Sequence, residues 1–174
     1  MPTRIRQAIQ LDADGIGEAH AESWLAAYGH IFDAPFLARS AESRRHGWKF
    51  SLPGLLTPPS LVLVADRDGQ IVGFATARPS NRGPSVGEVS GFYAHPDVWG
   101  TGIAMALMSE TCAILAEEYT DVVVWTPRDA AQARRFYEKA GFRATGDEKL
   151  DSLSDWATGE SVERPAVEYL KSLK

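Results

Sequence analysis

The chain has 174 residues, of which 44% are hydrophobic and 24% charged, and a formal net charge of −5. That length suits one domain over residues 1–174 with a well-buried core, and the acidic balance disfavours nonspecific nucleic-acid binding while mildly favouring a cationic ligand. Cys112, the only cysteine, excludes a disulfide framework and makes a reducing cytoplasm the default, and neither an apolar signal core nor a membrane-spanning run is present, so no membrane partner is expected.

Residues 3–9 alternate as a first strand. Asp12 and Asp14 stand where they can cap the helix that follows. In that helix Ile16, Ala19, His20, Ser23, Trp24, Ala27 and Tyr28 recur at three- and four-residue steps and mark one buried face. Pro35 precedes a second helix over 36–48, and Pro53, Gly54, Pro58 and Pro59 make the next segment a loop. Residues 61–65 form a strand, Asp66-Arg67-Asp68-Gly69 turns the chain, and 70–77 return it as a hairpin. Residues 78–85 read as a flexible loop. A strand begins at Glu88, and the helix opening near Gly100 buries Ala104, Leu107, Met108, Thr111, Cys112 and Leu115. Val122-Val123-Val124-Trp125 is a strand, a helix carries Phe136 and Tyr137, 142–150 is a strand, 151–160 a polar loop and 162–170 a closing strand. The order is β-α-α-β-β-β-α-β-α-β-β.

The stretch over 88–104 is the most informative. A strand delivers the loop Trp99-Gly100-Thr101-Gly102 to a helix start. Glycine lets backbone amides approach a ligand closely, and a helix N-terminus offers unpaired N–H groups and partial positive charge. The stretch is a candidate pyrophosphate cradle or an ordinary strand–turn–helix connection. Its spacing matches neither the dinucleotide fingerprint nor the Walker loop.

Together with Arg134-Arg135-Phe136-Tyr137-Glu138-Lys139-Ala140-Gly141-Phe142, this segment resembles the Gcn5-related N-acetyltransferase (GNAT) family. The resemblance implies an α/β fold with a central mixed, mostly antiparallel sheet of six to seven strands flanked by about four helices. It implies acetyl-CoA as cosubstrate, a small-molecule amine as partner, and a homodimer as one form of assembly. Trp99, Gly100, Thr101, Gly102, Ile103 and Ala104 then fall at the pyrophosphate, and Phe92, Tyr93 and Ala94 along the pantetheine arm, with the Phe92 amide facing the carbonyl oxygen. Trp99 replaces the family's usual Gln or Arg. Ala130 replaces a frequent asparagine beside the cofactor, and Pro127 lies in the same connection.

An amine with a pKa of about 10.4 is neutral in roughly one molecule in 2,500 at pH 7, so a proton acceptor helps. Glu88 is the candidate base, or else a solvated strand-end carboxylate. The leaving thiolate needs a proton donor, and Tyr137 is the candidate acid, or else a core aromatic. Trp24 and Tyr28 are either helix core or the aromatic wall of an acceptor pocket. The four histidines have no metal-ligand spacing, so no metal is expected. The reading is an acetyl-CoA-dependent N-acetyltransferase acting on a small primary amine. A peptide N-acetyltransferase and a non-catalytic acyl-CoA sensor are its alternatives.

Overall fold

Three apolar strands in sequence make the centre of the molecule. In the computed structural model, which describes residues 2–174, β2 (Leu61–Arg67), β3 (Gln70–Pro79) and β4 (Val86–Ala94) form an antiparallel meander. Both faces of β3 are buried from Ile71 to Ala77, which requires helices on either side. β1 (Thr3–Gln7), β5 (Asp121–Pro127), β6 (Arg143–Ser154) and β7 (Ser161–Ser172) complete a seven-stranded sheet in the order β1-β2-β3-β4-β5-β7-β6. Only β4 and β5 run parallel. The helices are α1 (Ala13–Tyr28), α2 (Ala34–Ser51), α3 (Ile103–Leu115) and α4 (Ala131–Lys139). This is the expected mixed α/β architecture in the expected order.

Several boundaries differ for identifiable reasons. Asp12 does not cap α1 with its side chain. Its carboxylate instead accepts from the Ile9 amide (2.8 Å) and from both terminal nitrogens of Arg6 (2.8 Å each), whose guanidinium also reaches Asp66. The Arg6 hydrogen bonds hold the Asp12 carboxyl below its ordinary range. α2 begins two residues early because Asp33 accepts from the Phe36 amide (3.0 Å) while Pro35 occupies the first turn. Ala27 and Ala104 are half-buried rather than core.

β6 continues through Asp151-Ser152-Leu153-Ser154, where a loop is expected from the polar composition. The loop is confined to the tip. There buried Asp155 accepts from the Ala157 amide (2.9 Å) and the Thr158 hydroxyl (3.0 Å), a local turn that reverses the chain into β7. The resulting β6–β7 arm folds back over α1 and α2. Arg44 Nη1 donates to the Ser154 carbonyl (2.9 Å), Ser43 accepts from the Trp156 amide (3.0 Å), and Gly47 leaves room for the Trp156 ring, which a Cβ would meet at 2.6 Å.

The segment after β3, expected to be flexible, is pinned across the sheet. Arg82 donates from Nε to Glu168 (2.8 Å) and from Nη2 to both Glu168 and Asp147, while Thr145 donates to Glu168 (2.9 Å). Glu168 is 1% exposed and lies in the middle of β7.

His20 occupies the junction of α1, α2 and the sheet, ringed by Trp24, Trp48, Phe74, Tyr93 and Trp156. Trp48 donates to His20 Nδ1 (3.0 Å), so the ring proton sits on Nε2, which has no partner. Burial drives the His20 pKa well below its ordinary value, and the Arg44 charge adds to the effect. The native state therefore holds His20 neutral, whereas the unfolded chain takes up a proton below a pKa of about 6.5. Stability is full above that pH and falls as pH drops through it, at about 1.4 kcal/mol per unit from this residue. Unfolding free energies from urea titrations between pH 7 and pH 5 should fall toward that slope below about pH 6.5, and His20→Leu should remove this contribution.

Candidate active site

The site originates in a divergence of strands. β4 and β5 pair from Val86↔Asp121 to Val89↔Val124 and no further. Beyond that point β4 continues beside β3, and β5 continues beside β7 to Pro127. A bulge at Ser90, between the pairs Gly91↔Thr76 and Val89↔Ala77, sharpens the bend, and the Ser90 and Thr76 hydroxyls bond across it (2.9 Å). The β5-facing edge of β4 from Ser90 to Ala94 thus has no strand partner, and an extended ligand can pair with it as another strand would. The gap opens into a cleft of about 400 Å³, within the range of small-molecule sites.

At one end of the cleft lies the start of α3. Gly100 (φ 76°) and Gly102 (φ 88°) both occupy the left-handed region, and no atom lies within 4 Å of where their Cβ would be. Gly102 caps α3 without a side-chain hydrogen bond of its own; the Ile103 amide meets the Thr101 hydroxyl (3.4 Å), and the next first-turn amides carry no side-chain cap. The same segment departs from expectation at two side chains. The Trp99 indole N–H donates to the Ala94 carbonyl (2.8 Å), which fixes the loop to the end of β4 and leaves the ring, 37% exposed, at the cleft. Thr101 stays exposed, with its hydroxyl and amide both donating to the Val98 carbonyl. Gly100 and Ala104 line the cleft, while Thr101, Gly102 and Ile103 line a shallow depression on the other side of the loop. The open glycines and uncapped amides fit a pyrophosphate.

Tyr137 on α4 lines the cleft, and Phe136 beside it stacks on Phe92 (centroids 5.3 Å, 20° between planes). The phenols of Tyr28, Tyr93 and Tyr137 lie close enough to influence one another's titration. Burial is the main cause that raises all three pKa values, so each keeps its proton at neutral pH. Ala130 is buried at the N-terminus of α4 and lines the cleft, and its amide donates to the Pro127 carbonyl (3.0 Å).

The remaining expected residues separate. Tyr28 lines the cleft, but Trp24 does not: it is 1% exposed, donates to Ser40 (2.9 Å) and carries the Arg44 guanidinium over its ring at 3.5 Å. The cation on the Trp24 face is the protein's own. Glu88 lies outside the cleft lining and accepts from Arg78 Nε at 2.7 Å, its register partner across β3 and β4. Sequence reasoning missed Ser90, the Tyr93 side chain, His30, Gln132 and Asp151, all of which line the cleft. His30 donates from Nε2 to the Asp129 carbonyl (2.9 Å), and Arg164 to the Ile31 carbonyl (3.1 Å), tying the end of α1 to the β5–α4 connection and to β7. Among the described residues, no group of His, Cys, Asp or Glu side chains is arranged to hold a metal ion, and no helix is long and apolar enough to cross a membrane.

A model of the acetyltransferase (GNAT) family matches residues 18–142. Curated proteins yield no match. Similar solved structures include the PaiA N-acetyltransferase of Thermoplasma acidophilum in complex with coenzyme A, at 19% identity and a TM-score of 0.76 over 99% of both chains. An N-acetyltransferase from Staphylococcus aureus Mu50 aligns at 17% identity and a TM-score of 0.67 over 100% of both. An aminoglycoside 6'-acetyltransferase type Ii aligns at 16% and 0.67, over 98% of this chain and 97% of that one. At such identities these likenesses describe the shared fold.

Proposed function

This chain belongs to the acetyltransferase (GNAT) family and is an acetyl-CoA-dependent acyltransferase, and on that premise we propose that it acetylates the primary amine of a small molecule. Both reactants bind together, and the amine attacks the thioester directly. The observation that carries the small-molecule reading is the crowding of the acceptor end of the cleft. Leu153 of the β6–β7 arm packs there against the Tyr28–Phe32 cluster, and His30 and Arg164 tie the end of α1 to the β5–α4 connection and to β7. A peptide chain needs a longer open groove.

Acetyl-CoA supplies the activated acyl group. Within the segment Trp99–Ala104, the backbone amides of Gly100, Gly102 and Ala104 hold its pyrophosphate, and Phe92, Tyr93 and Ala94 pair with its arm along the free edge of β4. Ala130 packs beside it. The Phe92 amide donates to the carbonyl oxygen as negative charge develops there; a fixed donor of this kind costs no reorganisation during the reaction. The Tyr137 hydroxyl donates to the departing sulfur. Glu88, held by Arg78 away from the cleft, serves the register of β3 and β4 rather than the amine.

Thermal melts with acetyl-CoA, and with adenosine nucleotides as controls, test the cofactor site. Acetyl-CoA at a hundred times its Kd adds about 2.7 kcal/mol, an upward shift of roughly 5–10 °C for a domain of this size. A panel of small amines and peptides then tests the acceptor. Turnover of amines but not peptides is expected. Peptide turnover alone supports a protein acetyltransferase, and a melt shift with no turnover supports a sensor.

A further inference from the structure

The charge census of the cleft restricts the acceptor further. Of the residues lining it, Asp151 alone carries a formal charge at neutral pH; no lysine, arginine or glutamate lines it. Asp151 and Leu153 alternate with Ser152 on β6, so the face that packs Leu153 onto the aromatic cluster of α1 also turns Asp151 to the cleft. Asp151 is half-buried, and each nearby cation is engaged elsewhere. Arg164, its register partner on β7, donates to the carbonyls of Glu163 (2.9 Å) and Ile31 (3.1 Å). The Lys149 ammonium lies over the Trp125 ring at 4.4 Å. Arg128 faces Glu148 at 3.8 Å. Arg44 is behind the Tyr28–Tyr93 wall, donating to Ser40 and Ser154. The Asp151 carboxylate makes no hydrogen bond or ion pair with any described residue, which leaves it available to a cation on a ligand.

Its position also separates it from the reacting atoms. Asp151 pairs with Arg164 on β7, five residues along that strand from Tyr169, against whose ring Tyr137 packs (centroids 6.1 Å), so about 16 Å of strand separates the two. We propose that Asp151 is the acceptor-specificity residue: it receives a second cationic nitrogen, remote from the one acetylated, so the preferred acceptors are diamines and polyamines without a carboxylate. Free amino acids fit poorly, because their carboxylate meets no lysine or arginine in the cleft and faces Asp151 instead. The inference rests on the amine-transfer reading above.

The test compares α,ω-diamines with n-alkylamines and ω-amino acids of matched chain lengths, in the native protein and in Asp151→Asn. In the native protein kcat/KM should favour the diamine over the matched monoamine by about tenfold or more, the scale of a charge-assisted hydrogen bond, with the ω-amino acid poorest. In Asp151→Asn that ratio should fall close to one, mainly through KM for the diamine. A general structural defect would lower all three substrates together and leave the ratio intact, and that result overturns the proposal. So does a native protein that treats diamine and monoamine alike, or one that acetylates other amines but none of these. Absence of an acetyl-CoA melt shift is a different failure, that of the transferase reading itself.

Discussion

Tyr137→Phe should lower kcat about a hundredfold, roughly 2.7 kcal/mol of transition-state stabilisation, while KM for acetyl-CoA and for the amine changes little. The substitution removes one oxygen from a ring that otherwise stays packed between Phe142 and Tyr169. The pH profile adds a second check. Burial first, and Tyr93 second, hold the Tyr137 phenol above its ordinary pKa, so it stays protonated past pH 10. Activity should rise with pH as the amine loses its proton and show no alkaline decline from this residue below pH 10. A descending limb near pH 9 that Tyr137→Phe abolishes would contradict that assignment. Unchanged kcat would reject Tyr137 as the donor altogether. Glu88→Gln is the matched contrast: with its carboxylate on Arg78 and outside the cleft, it should alter kcat/KM by no more than about threefold.

Arg82→Ala should be the most damaging change outside the cleft. Glu168 is almost fully buried, and its carboxylate oxygens are met by Arg82 and Thr145. Removing the guanidinium leaves a buried negative charge with one hydroxyl for company. Breaking one side of a buried pair costs about 3–5 kcal/mol. The Arg82 side chain is 35% exposed, so the lower end applies, a fall in Tm of roughly 6–12 °C. Pairing Arg82→Met with Glu168→Leu should restore most of it, because replacing both partners removes the stranded charge. A single variant that melts like the native protein would show that water already reaches Glu168.

How far the sequence carries can be judged from particular residues. The order of strands and helices is legible throughout, because α1 and α3 carry buried helical stripes and the central strands are short apolar runs bounded by turns. The outer half of β6 is not. Residues 142–150 read as a strand, but the polar run Asp151-Ser152-Leu153-Ser154 that completes β6 passes for loop. That misreading hid Asp151, whose orientation only becomes clear once Leu153 is placed on the same face. The Glu88–Arg78 pair depends on the register of β3 against β4, which no local pattern encodes. Trp24 and Tyr28 share one helical stripe, and the sequence has no means of telling which reaches the cleft. The difference is made by Arg44, brought over Trp24 from a second helix. At the α3 loop the glycines are legible as a cradle, but the engagement of the Trp99 indole with the Ala94 carbonyl is a tertiary fact.

That last contact bears on how the protein can change over generations. With Trp99 committed to the end of β4, the contribution of this loop to anion binding lies in main-chain amides, which every amino acid but proline carries. Most single-codon replacements in the loop therefore leave the donors in place. Harm is concentrated at Gly100 and Gly102, whose positive φ values side chains rarely adopt. Drift can recolour the acceptor wall, Asp151 included, without touching the cradle. The lineage is free to exchange one acyl acceptor for another while its hold on the donor persists.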